Sequence, residues 1–181
     1  MYEESIDLLR KCGIRLEKGL SLSELNKAEK LYQIQFPESL KNFLMIALPI
    51  SKGFYNWRNT QKSNVQFIKD IMERPFQDIN EAADIVYWCD DWGVEPTNTM
   101  NFASEVRKKL KNAPKLLPIY AHRYMPMVMD KTPPVLSLHG LDIIYYGKNL
   151  EDYLRVEFGD KSQNEIEFDS IPHIPFWSDI M

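Results

Sequence analysis

Residues 19–49, GLSLSELNKAEKLYQIQFPESLKNFLMIALP, read as two consecutive amphipathic helices joined by a very short link. Ser21 and Glu24 have capping-box spacing, in which each side chain satisfies a backbone donor that the first turn leaves open. Leu22, Leu25, Ala28 and Leu31 follow at helical intervals, leaving Lys27, Glu29 and Lys30 to water. Pro37 suits the first position of the second helix, where no N–H is needed and its fixed φ matches. Leu40, Phe43, Leu44 and Ala47 make that helix's apolar face, and Pro49 ends it. The two faces predict that Leu25, Leu40, Phe43 and Leu44 are buried. Taken alone, this pattern describes an ordinary helical hairpin.

Working outward, residues 3–12 suit a short helix with Ile6 and Leu9 turned inward. The aromatic run 53–59 has the composition of a short strand. Asn64 suits the cap of a helix carrying Val65, Ile68, Ile71 and Met72, ending near Arg74 and Pro75. Residues 76–88 fit helix and strand about equally. Residues 92–96 (WGVEP) must turn, and a further helix is expected over 101–112. Residues 116–120, 135–139 and 143–146 read as strands, the last two joined by a hairpin at Gly140. Asn149 caps a final helix that Gly159 closes. Helices early and strands late predict an α+β domain, an antiparallel sheet with helices around it.

The helix GLSxxELxxAE followed by IxFPxxLxxFL resembles the opening of the SUKH superfamily. A second block, PKLLPIYAHRYMP at 114–126 with VLSLHGLDIIYYGKNLEDYL after it, is similar to the later half of the domain in bacterial members. The resemblance spans residues 14–158. It implies a SUKH-like domain over 1–159, with 160–181 as a C-terminal extension packed on it. Members include yeast cell-wall synthesis regulator-like proteins and bacterial immunity proteins, which bind and neutralise a cognate toxin, often a nuclease. In one respect the chain departs from the family. Ala47, Leu48 and Pro49 stand where many members have a polar, Gly-rich exit, so no surface role carries over to that exit.

Composition narrows the function classes. No apolar run approaches the ~20 residues of a membrane span, and the acid-bearing N-terminus has no apolar leader core. These features lead to a cytoplasmic expectation. Cys12 and Cys89 are too few for a disulfide framework and are read as free thiols. A net charge of −4 argues against direct nucleic-acid binding, which calls for a basic face.

Catalytic motifs are missing: there is no nucleophile elbow and no Gly-rich phosphate loop. His122, His139 and His173 lack helical metal-pair spacing, so neither a metal nor another cofactor is expected. Two polar-aromatic clusters remain. Trp88, Asp90, Asp91 and Trp92 combine rings with carboxylates, as binding hot spots do, although tryptophans also plug the ends of cores. His122, Arg123 and Tyr124 form the second, with Arg123 able to pair with Asp91 or stack on Trp92. All seven are candidate partner-binding residues, with no catalytic role expected. The reading is a non-enzymatic immunity protein whose partner is a cognate protein toxin, in its sharper form a basic nuclease. A regulatory or scaffold module is the alternative, and a hydrolase built around Asp91 and His122 a more distant one.

Overall fold

In chain order, the computed structural model places α1 (Glu3–Lys11), β1 (Leu16–Lys18), α2 (Leu22–Tyr32), α3 (Glu38–Ile46) and β2 (Ala47–Pro49) before a long helix, α4 (Lys62–Glu81). There follow α5 (Thr99–Leu110), β3 (Leu116–Tyr120), β4 (Arg123–Pro126), β5 (Val135–His139), β6 (Asp142–Gly147) and α6 (Leu150–Phe158). The structure describes residues 2–181.

The hairpin of 19–49 begins as its capping residues dictate. The Glu24 N–H donates to Ser21 Oγ at 3.2 Å while the Glu24 carboxylate accepts from the Ser21 N–H at 2.8 Å. Leu25, Leu40, Phe43 and Leu44 are all buried. Leu22, in the first turn of α2, is 57% exposed and lies outside the buried stripe, which Tyr32 completes instead. The second helix stops earlier than its apolar periodicity suggests. Pro49 disfavours the α region at Leu48, and Ala47–Pro49 becomes extended, pairing antiparallel with β1. Ala47 is therefore buried as a strand residue and not as part of a helical face.

Residues 53–59 are not a strand. Phe54 makes a single bridge to Tyr120, and the Asn56 side chain accepts from the backbone of Arg58 and Asn59, bending the chain into a turn. The Asn64 amide donates to the Asn56 and Asn59 carbonyls, so it ties this turn to α4, which starts before it. Nor does α4 end at Pro75. Proline removes the N–H that would reach Ile71, and the Tyr124 hydroxyl donates to the Ile71 carbonyl at 3.3 Å in its place.

Strands β3 to β6 form an antiparallel meander. The two-residue alternation of a strand sends neighbours to opposite sides. Leu117, Met125 and Val135 join one core with α1, α2, α3 and α6, whereas Leu116, Tyr124 and Leu136 join a second core with α5. With Ile68 and Met72 in the first core and Ile79 in the second, α4 serves both. Residues 174–180 complete the second core: Trp177 is wholly buried, and its ring N–H donates to the Pro114 carbonyl at 2.9 Å. The result is an α+β fold whose sheet is covered on both faces. No helix among the described residues is long and apolar enough to cross a membrane.

Candidate functional site

Between α4 and α5 lie 17 residues, 82–98, whose only regular piece is a 3-10 turn at Asp90–Trp92. Connections this long in a folded domain usually carry function. Trp88 and Trp92 anchor this one. Their rings meet edge to face at 5.4 Å, Trp88 packs on Phe102, and Trp92 stacks on Phe176. The Trp88 ring N–H donates to the Gly93 carbonyl at 2.9 Å, and that of Trp92 to the Asp179 carboxylate at 3.1 Å. Lys109 lies 5.0 Å above the Trp92 ring. Both tryptophans thus close the end of the second core and hold the loop in place.

Around these anchors the loop faces water. Asp90 and Asp91 are exposed, as are Ile85, Tyr87 and Val94, with Val94 96% accessible, and so is Met100 in the first turn of α5. Exposed apolar side chains beside carboxylates make this loop a candidate interaction surface. The charge pattern agrees. Residues 75–106 contain seven acids (Asp78, Glu81, Asp84, Asp90, Asp91, Glu95 and Glu105) and no lysine or arginine. This signal was present in the sequence. The net charge of the whole chain hides it, because the bases are concentrated elsewhere.

The second predicted cluster does not join the first. Arg123 neither pairs with Asp91 nor stacks on Trp92: its Nε donates to Glu157 at 3.1 Å, its Nη1 to Ser137 Oγ at 2.9 Å, and its guanidinium lies 3.9 Å from the centre of the Tyr146 ring. The alternation of β4 decides this, because Arg123 and Tyr124 must point to opposite sheet faces. Tyr124 is 3% exposed, and its burial pushes the phenol pKa up. It supports α4 and is not open to a partner. Arg123, its side chain mostly buried and held by Glu157, Ser137 and the Tyr146 ring, is structural as well.

His122 remains exposed and meets His139 edge to face at 5.8 Å across neighbouring strand ends. Partial burial, then the charges of Arg123 and His139, push the His122 pKa down, which favours neutral imidazole at pH 7. Both histidines border an open cleft of about 940 Å³ also lined by Asp78, Glu81, Asp84 and Ile85, with Arg74 its one arginine. The acidic surface therefore runs from this cleft into the loop. No serine, threonine or cysteine lines the cleft. Among the described residues no group of three or more His, Cys, Asp or Glu is placed to hold a metal ion. Comparison with protein families, curated proteins and solved structures finds no match to this chain.

Proposed function

We propose that this chain is a non-catalytic immunity protein that binds and neutralises a cognate toxin, using the acidic, apolar loop of residues 84–95 and the adjoining cleft. The observation that carries this reading is the run from 75 to 106, acid-rich, free of bases and decorated with exposed Ile85, Tyr87 and Val94. Such a surface raises the encounter rate of a basic partner through its field, and burial of its apolar side chains slows dissociation. The SUKH resemblance supports the biological class, the lack of a membrane-length apolar helix among the described residues agrees with a cytoplasmic setting, and a basic nuclease fits the charge.

The test is co-expression with the toxin encoded beside this chain. Growth should be rescued and a complex recovered. Charge reversal of Asp90 and Asp91 should slow association, and added salt should do the same to the parent. Val94→Glu should instead speed dissociation. Trp92→Ala is an unsuitable probe, because that ring holds the loop to Phe176 and Asp179. No rescue, together with no complex at micromolar concentration, would remove the immunity assignment in favour of a regulatory module.

A further inference from the structure

On the other side of α5 the character of the surface reverses. A groove of about 740 Å³ separates α4 from α5 and the start of β3. Its floor is apolar, formed by Met72, Phe76, Leu110 and Leu116. Its rim carries four cations, Arg107, Lys108, Lys111 and Lys115, with Glu73 the one acid lining it. On a chain of net charge −4, this is a local inversion of sign.

The rim is partly organised already. Arg107 donates through Nε and Nη2 to the Asn80 carbonyl, at 3.3 and 3.1 Å, which leaves Nη1 for another acceptor. Lys115 donates to the Gln33 carbonyl at 3.0 Å, and Lys108 pairs with Glu105. Lys111 lies one helical turn from Arg107, so both can approach the same anion. The cations also offset the negative end of the α5 dipole, equivalent to roughly half a charge. Four cations against Glu73 and Glu105 still leave the rim positive after that.

From this geometry we infer that the groove binds a single-chain anionic amphiphile, its hydrocarbon on Phe76, Met72 and Ala113 and its carboxylate or phosphate head between Arg107 and Lys111. The volume lies within the range of about 300–1,000 Å³ found for small-ligand sites, which are mostly apolar with a few convergent polar groups. Methionine in the floor adapts to a flexible chain. An uncharged or cationic amphiphile would leave the rim cations unpaired or repelled.

The site reports on itself, because Met72 lines it and Phe76 meets the buried Trp177 edge to face at 5.1 Å. The full chain, labelled with 13C at its methionine methyls, is titrated below micelle formation with dodecanoate, dodecyl phosphate, dodecanol and dodecyltrimethylammonium. The expected result is a saturable Met72 shift with both anions, matched by a change in tryptophan emission. The cationic surfactant should bind at least about tenfold more weakly. Lys111→Glu, at an exposed position, should weaken the anions about tenfold and leave dodecanol unchanged. Equal binding of the ammonium surfactant, or no saturable shift at Met72, would overturn the inference. So would an acidic helical peptide that shifts Met72 where dodecanoate does not, since that assigns the groove to a protein partner.

Discussion

The Tyr124 hydroxyl donates at 3.3 Å to the Ile71 carbonyl, the acceptor that Pro75 deprives of its partner one turn along α4. Ile71 is only partly buried, and a carbonyl there left without a donor costs up to about 1–3 kcal/mol, so the phenol helps the helix run past its proline. Tyr124→Phe should therefore destabilise the protein by about 1–2 kcal/mol. In a Pro75→Ala background the backbone N–H returns and the phenol becomes redundant, so the same substitution should cost clearly less. A double-mutant cycle from urea midpoints measures the coupling. Additive effects would mean that the hydroxyl is not the substitute donor.

Arg123 makes its contacts at the centre of the fold, joining β4 to Ser137 on β5, to the Tyr146 ring on β6 and to Glu157 on α6. Its side chain and that of Glu157 are only 11% and 19% exposed. Removing one member of a buried, hydrogen-bonded pair strands the other, and Arg123→Ala should cost about 3–5 kcal/mol. Arg123→Lys should recover only part of that, because an ammonium cannot reproduce the planar fork that donates in two directions and stacks on a ring. A lysine variant as stable as the parent in urea would show that charge alone suffices.

Glu24 joins the capping of α2 to the loop before α4. The Ser21 backbone N–H, then the Arg58 guanidinium and the Ser21 hydroxyl, push its pKa down from 4.5 to about 2. A depressed carboxylate stabilises the fold above its unfolded pKa, and that contribution is lost as pH falls from 4.5 towards 2. The pair is partly exposed, which limits the effect to the scale of a helix cap, about 1 kcal/mol. Glu24→Gln should be less stable at pH 7 and should show a shallower loss of stability between pH 5 and pH 2. Parallel curves for the two proteins would place the acid sensitivity in another group.

What was legible in the sequence was local. The Ser21–Glu24 box, the Asn149 cap and the hairpin at Gly140 depend on residues a few positions apart, and each formed where its pattern indicated. Strand β4 was hidden because its turn has no glycine. Ala121 takes a φ of 46° there, its N–H held by the Gly53 carbonyl at 2.8 Å and its carbonyl by the Tyr55 hydroxyl at 2.6 Å. The continuation of α4 through Pro75 depends on a tyrosine 53 residues away in sequence. The candidate site divided in the same way. The tryptophan and aspartate loop is contiguous and could be read directly, whereas the partner of Arg123 lies 34 positions away on another element.

Gly19 gives the most demanding test of how the helical hairpin is assembled. The Leu20 N–H donates to the Leu44 carbonyl at 2.7 Å, which draws the chain entering α2 against the last turn of α3. At Gly19 the approach is so close that a methyl group would overlap the Met45 carbonyl, a backbone atom that cannot rotate aside. Gly19→Ala must therefore separate the two segments, weakening the Leu20–Leu44 bond and loosening the β1–β2 pair, since β1 ends at Lys18 and β2 follows α3 directly. Overpacking of this kind should cost about 3 kcal/mol. Gly13→Ala provides the contrast: its φ of +73° penalises a side chain, but nothing lies within 4 Å of the added carbon. It should cost only the backbone strain, about 1 kcal/mol. Hydrogen exchange separates the two outcomes, because only the Gly19 variant should lose protection at Leu20 and at Leu48 and Ile50, Pro49 between them having no N–H. If Gly19→Ala retains that protection and matches Gly13→Ala in urea, the close approach to α3 is not what makes glycine necessary there.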